Sequence, residues 1–384
     1  MARGKASYIT GLAVAAVLVA SLWIPTVDNL FNIAPWLTGN ESSQLSKLPE
    51  LRANLKSAAE FQKKYVKFFL DDFGFRNALI RWNSLLRLEF LRVKRFPKVL
   101  VGKDDWLYLI KDDDGNNVLD YYRVTRPFAS EREVAEWAHP LLEMKKQCDR
   151  RGIRLLVVFA PMKTRVYPEY MPDNLEPLRS VTRLDQVKAY LGKGSGVDFI
   201  DLGPAVLEAK KLHRVYFKHD VHWNTYGAFY GYRAMMEELG RGNPALKPLA
   251  IDAYAIEPRV FPGGDLAGML GLKDRFEEEY FIFTLKSGSR VKRLPVPYAA
   301  KVSRLSNAYE SADRSLPRVV VFHDSFFNFI KQFMSEHFSR MVCFQSYNRV
   351  DFSIVDREKP DMLIYEMVES FTQKSPSYVT PMNF

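Results

Sequence analysis

The chain has 384 residues, 47% of them hydrophobic and 14% aromatic, which is ample material for a large core and excludes an intrinsically disordered protein. Its formal net charge of +10 favours anionic partners, a class that takes in acidic polymers, membrane surfaces and nucleic acid. Two cysteines, Cys148 and Cys343, exclude a disulfide framework and lack metal-ligand spacing, so both are expected as buried thiols.

The first residues narrow the partner class. Arg3 and Lys5 precede an uncharged run over residues 6–27 that is long enough to cross a bilayer. The one small-residue cleavage candidate, residues 19–21, is followed by more apolar sequence, so residues 1–27 are expected to be a retained membrane anchor rather than a cleaved signal. The basic flank predicts a cytoplasmic start and an exported remainder. An exported domain without a recognised nucleic-acid module is not expected to meet nucleic acid. Residues 28–60, with Pro35, Pro49 and the polar patch TGNESSQLSK, read as a stalk.

From 61 to 384 the pattern is that of one globular domain. Apolar residues recur at helical spacing to about residue 94, and VLVGKDDWLYLI then reads as strands around an Asp-Asp turn. Ser130 followed by Glu133 opens a helix ending near Gly152, and IRLLVVFAP is a buried strand. A helix at about 180–191 and a strand at 197–202 follow, then a helix from Tyr226 to Leu239 with Asn224 or Thr225 as cap and Gly240 as its stop. RVVVFHDSF and PDMLIYEMVES are two more apolar strands, whereas 241–312 looks less regular, an insertion with strand-like fragments. Helices alternating with apolar strands predict an α/β fold with a mostly parallel central sheet.

Such sheets present reactive groups just past the carboxyl ends of strands. The run Val319 to Phe322 delivers His323, Asp324 and Ser325 to such an end, where Ser325 either caps a helix or acts as a nucleophile beside backbone N–H groups that steady an oxyanion. Asp220 and His222, at i and i+2 of an extended segment, project to one side, so the carboxylate can orient the imidazole as a general base. A metal reading uses His219, Asp220, His222, His323 and Asp324, but no His-x-x-x-His pair exists and no metal is expected.

DVHWNTYG at 220–227 and HDSF at 323–326, with VGKDDWLYL, APMKTRVYPEYMP, FGFRN, GGDLAGML and KPDMLIYEMVES, resemble the alginate O-acetyltransferase family. The resemblance covers residues 70 to 384 and implies an SGNH-hydrolase-like, flavodoxin-like three-layer sandwich with Asp220, His222 and Ser325 as its catalytic triad. His323 stands where hydrolase relatives commonly have glycine, and Asp105 where the family tends to glycine. The implied activity is transfer of an acetyl group through a serine acyl-enzyme onto an exopolysaccharide such as alginate, on the periplasmic side of the inner membrane. No bound cofactor is implied. The acetyl group would come from a donor protein or small donor, with a membrane-bound acyltransferase and polymer-export proteins as partners. Lys163, Arg165, Tyr167, Trp223, Tyr226 and Asn328 are the candidate sugar contacts. The alternatives are an acetylesterase, a non-catalytic polysaccharide-binding assembly protein and a metal-dependent hydrolase.

Overall fold

The computed structural model describes residues 61–62, 64–66, 76–112, 115–241, 243, 246–298, 305–347 and 349–379. The expected anchor (1–27) and stalk (28–60) lie outside them, and no helix among the described residues is long and apolar enough to cross a membrane. The chain divides into two compact units. One runs to Val93 and takes in Leu270–Leu272, and the other comprises Lys94–Met269 and Lys273–Phe384. The first holds the helix Arg76–Leu85, continued by a π turn, Leu86–Phe90.

The second unit begins with an antiparallel pair, β1 (Val99–Val101) and β2 (Leu107–Leu109), joined through Asp104 and Asp105. Both aspartates have left-handed backbones, φ 49° and 59°, which Asp tolerates better than most residues. Then come β3 (Arg154–Ala160), β4 (Asp198–Asp201), the long hairpin of β5 (Tyr254–Pro262) and β6 (Glu277–Leu285), and β7 (Val291–Pro295). The remainder are β8 (Asn307–Ser311), β9 (Arg318–His323), β10 (Arg340–Gln345), β11 (Arg349–Asp351), β12 (Met362–Val368) and β13 (Ser377–Val379).

Seven strands form the main sheet in the order β4-β3-β12-β9-β10-β8-β7. The first five run parallel, and β8 and β7 close the edge antiparallel. Every residue of β3 from Leu155 and every residue of β12 is buried, so both pleat faces are covered. That burial is why these segments read as continuous apolar runs instead of alternating ones. Helix Glu131–Asp149 packs with Arg183–Leu191, and Gly203–Lys210 packs with Thr225–Gly240. Both cysteines are buried and free, and burial pushes each thiol up to about 12.

Local signals account for the helix boundaries. The Ser130 hydroxyl accepts from Glu133 N–H at 3.3 Å, and the Glu133 carboxylate takes Ala129 N–H at 2.9 Å, one residue earlier than a strict capping box. Asn224 caps the helix Thr225–Gly240 by accepting from Gly227 N–H at 3.2 Å. The helix ends at Gly240, the expected stop, which is its last helical residue and has no positive φ. Glycine is needed there because a Cβ would lie 2.7 Å from the Leu246 carbonyl oxygen.

Gly227 is more tightly constrained, because a Cβ would fall on the Val215 carbonyl and 2.8 Å from Trp223 Cβ. Gly227→Ala should therefore cost about 1–3 kcal/mol through overpacking, more than the roughly 1 kcal/mol of helix propensity it gains. Denaturant unfolding measures this; an unchanged or higher midpoint would contradict the packing.

Candidate active site

β9 and β12 lie side by side at the centre of the sheet, and both end at one edge. Ser325 follows β9 by two residues, and the chain then turns into a short 3₁₀ helix, Phe326–Phe329. Residues 217–222 form a loop pinched at its base by the bridge between Tyr216 and Trp223. The Trp223 indole N–H reaches across to the Phe326 carbonyl at 3.0 Å, so the two segments are tied directly.

Within the loop, Asp220 Oδ1 accepts from both the backbone N–H of His222, at 3.0 Å, and the ring Nδ1, at 2.7 Å. The segment is thus a tight turn closed by the Asp side chain, not the extended stretch expected from i, i+2 spacing. An ionised carboxylate can only accept, so the proton resides on Nδ1 and Nε2 is left with a lone pair. Nε2 lies 2.7 Å from Ser325 Oγ. The result is one line of hydrogen bonds, carboxylate to imidazole to hydroxyl, formed by residues about a hundred positions apart. Phe326 and Phe329 flank the imidazole with ring centroids 5.0 and 5.6 Å away.

The loop is fastened from several sides. Lys163 Nζ donates to the carbonyls of Leu107 (2.7 Å), Lys218 (2.8 Å) and Asp220 (2.9 Å). Glu278 accepts His219 N–H at 2.7 Å, Ala267 N–H donates to the His219 carbonyl, and Asp265 N–H donates to Asp220 Oδ2 at 2.8 Å. The GGDLAGML stretch, individually a weak motif, supplies two of these contacts. Gly264 is required because any Cβ would collide with the Asp220 carboxylate.

On the serine side, Asp324 Oδ1 accepts from Phe326 N–H at 2.8 Å and Oδ2 from Val368 N–H at 2.6 Å. Glu366 accepts Asp324 N–H at 3.2 Å. Phe326 N–H is thereby occupied, contrary to the expectation that the helix start would offer it to an oxyanion. His323 is fully buried at the end of β9, hydrogen bonded to the Asp324 carbonyl, and its φ is not positive, so its backbone does not call for glycine.

Electrostatics follow from this packing. Burial opposes ionisation of Asp220, but the His222 hydrogen bond and charge and the Asp265 N–H outweigh it and hold its carboxyl well below the ordinary range. For His222 burial favours the neutral ring, yet the Asp220 bond and the charges of Asp265 and Asp324 raise it above its ordinary value. Burial pushes Asp324 up to about 6 and Glu366 well above the usual carboxylate range. It also pulls Lys163 down to about 7 against the charges of Glu278 and Asp220.

The expected sugar surface needs correction. Lys163 is buried and spends its three protons on carbonyls, and Arg165 is paired with Asp201 and Glu369. Tyr167 is buried, its hydroxyl accepting Val215 N–H, and Trp223 is fully buried under the loop. Tyr226 stacks on His213 at 4.0 Å and packs edge-on against Phe281 and Phe283. Lys163, Tyr167 and Trp223 are turned inward because a polar tip or an aromatic ring beside a motif serves packing as well as recognition, whereas Arg165 and Tyr226 stay half-exposed. Asn328 alone is exposed, bonded to Gln345 and Lys331.

Asp220, His222 and Asp265 bring three potential ligand atoms within 4.8 Å of one another. Both His222 nitrogens are engaged by Asp220 and Ser325, so the ring cannot ligate a cation while those bonds stand. His219 instead faces Glu278 at 3.3 Å, and His323 lies under the sheet edge.

An NMR titration of the His222 ring should give a midpoint above the ordinary 6.5. In Asp220→Asn the raising partner is gone while burial remains, so the midpoint should fall. Equal midpoints in the two proteins would contradict the electrostatic coupling.

Residues 99–281 match the family model described as "SGNH hydrolase-like domain, acetyltransferase AlgX", a stretch that includes Asp220 and His222 and ends before Ser325. A probable alginate O-acetylase AlgJ of Pseudomonas aeruginosa is 26% identical over 187 residues, 47% of this chain and 43% of that protein. The probable alginate O-acetylase AlgJ of Pseudomonas syringae is 27% identical over 185 residues, with the same coverage. The match thus spans less than half the length of these curated relatives. Among solved structures, Bacillus cereus PatB1 superposes with a TM-score of 0.53 at 16% identity, over 71% of this chain and 96% of that one, which is a likeness of fold. Across residues 99–281, just under half of its length, the chain is thus similar to the SGNH hydrolase-like acetyltransferase domain that its motifs resemble.

Proposed function

We propose that the protein is a polysaccharide O-acetyltransferase working through an acetyl-serine on Ser325. The single observation that carries this reading is the unbroken line from Asp220 through His222 to Ser325, with 2.7 Å at each side-chain step. His222 Nε2 takes the Ser325 proton as Oγ attacks the acetyl carbonyl carbon; the bond to the donor oxygen or sulfur breaks, and the proton passes to that leaving atom. In the second half an acceptor hydroxyl attacks the same carbon, His222 takes its proton, and Ser325 Oγ leaves with that proton restored. Asp220 stabilises the imidazolium in both halves, consistent with the raised His222 and depressed Asp220. The acetyl group comes from a donor protein or a small acetyl donor, and no resident cofactor is invoked.

The acceptor is an exopolysaccharide of the alginate type, by analogy with the AlgJ proteins. The apolar run at 6–27 supports a single inner-membrane anchor with the domain in the periplasm, beside a membrane-bound acyltransferase and export proteins. The retained anchor, the stalk and the membrane-side partners belong to this reading. Water in place of the sugar hydroxyl would make the same site an acetylesterase. A non-catalytic, polysaccharide-binding role draws on one observation, the engagement of Phe326 N–H by Asp324, which removes one oxyanion donor beside the serine.

Incubating the protein with a small acetyl ester, with and without an alginate oligosaccharide, and weighing it intact separates these cases. An acetyl adduct in the wild type, absent in Ser325→Ala and discharged faster by the oligosaccharide than by water, is the expected result. His222→Ala should slow adduct formation by about 10²–10⁴. Discharge indifferent to the sugar would mean an esterase, and full biological function in Ser325→Ala would establish the non-catalytic role.

A further inference from the structure

Beyond the hydrogen-bonded line, a run of aromatic rings leads away from the imidazole. The Phe329 ring lies 5.6 Å from His222, Phe217 lies 5.8 Å from Phe329, Tyr280 lies 5.6 Å from Phe217, and Phe261 lies 5.8 Å from Tyr280. Its outer end is the most exposed. Phe217 is buried, Phe329 and Tyr280 are half-buried, and Phe261 is 48% exposed. The outer rings sit on the β5–β6 hairpin, where Arg259 is opposite Tyr280 and Phe261 opposite Glu278, which puts Phe261 and Tyr280 on one pleat face. Burial does not explain an exposed phenylalanine on a strand edge. Its position does: Phe261 stands three residues before Gly264 and four before Asp265, whose N–H holds Asp220.

We propose that Phe329, Tyr280 and Phe261, backed by Phe217, form a stacking track for the pyranose rings of the acceptor, guiding one of its hydroxyls to Ser325. This rests on the O-acetyltransferase reading for the identity of its occupant. A pyranose ring presents an apolar face of polarised C–H bonds, and an aromatic ring presents a negative face that such bonds favour. Phe217 links Phe329 to Tyr280 from beneath, at 5.8 and 5.6 Å, and the run ends against the group that would deprotonate the acceptor. Phe217 stacks on Tyr280 at 10° between planes, which fixes the orientation of Tyr280 before any sugar arrives. The charged neighbours of the outer rings are Arg259, itself paired with Glu257 at 2.9 Å, and Glu278, which is held by His219 and Arg214. The track is therefore a ring-stacking surface with its charges already satisfied.

The test uses the full chain carrying Ser325→Ala, so that no turnover intervenes, and titrates it calorimetrically with an alginate oligosaccharide, beside the same protein with Phe261→Ala or Phe261→Trp added. Loss of one stacked ring should weaken binding roughly three- to tenfold, and the larger indole should retain it. Thermal melting checks that folding is unaltered. In the catalytically intact protein the same Phe261→Ala change should raise KM for the oligosaccharide and leave kcat in place. Affinity unchanged by Phe261→Ala, or no binding before the substitution, overturns the track. The acetyl-serine reading is scored separately, by whether the unmodified protein gains an acetyl group at Ser325, so either idea can fail alone.

Discussion

One carboxylate organises the site. Asp220 accepts two hydrogen bonds from His222 on Oδ1 and one from the Asp265 backbone on Oδ2, so it closes its own turn, aims the imidazole and joins the loop to the GGDLAGML segment. A carboxylate this buried is costly unless every lone pair is used. Here the partners are fixed N–H groups and a ring that becomes charged, which is why ionised Asp220 and protonated His222 are favoured together. Without Asp220, burial would favour neutral His222, and nothing among these contacts would set which nitrogen faces Ser325.

The fold makes that arrangement possible by delivering its parts from separate strand ends. β9 presents Ser325, β12 supplies Val368 and Glu366 to hold the turn behind it, and the segment after β3 supplies Lys163. Lys163 shows how buried charge can serve position rather than contact. Its ammonium bridges three carbonyls over the Trp106 and Tyr108 rings, 5.0 and 5.3 Å from the ring centroids, and so anchors the loop that bears Asp220. Burial pulls it down to about 7, so the clamp is weakest on the alkaline side, where the ammonium loses its proton.

Much of this was legible in the sequence, for physical reasons. Strands buried on both faces leave unbroken apolar runs, so β3, β9 and β12 were readable, as were the helix caps at Ser130 and Asn224. Asp220, His222 and Ser325 stood out because few residue types can form such a line and two of them sit in one short loop. In the hairpin β5–β6 only the FIFTL half of β6 read as strand-like, because β5 is largely exposed and interrupted by Pro258 and so carries no apolar signature. Glu278, Asp265 and Glu366 were missed because their work is to hold backbone N–H groups or lend their own, and long-range contacts of that kind leave no local pattern. The opposite error befell Lys163 and Tyr167, whose charge or ring suggested a ligand while the fold buries them.

The central claim, that Ser325 owes its reactivity to the line through His222 and Asp220, is tested most directly by labelling the native protein with a sulfonyl fluoride and mapping the modified peptide. The account requires a single adduct on Ser325, formed quickly in the wild type, slowly in Asp220→Asn and about 10²–10⁴-fold more slowly than wild type in His222→Ala. Labelling spread over other hydroxyls, or at Ser325 with equal speed in all three proteins, would show that the hydrogen-bonded line does not activate the serine.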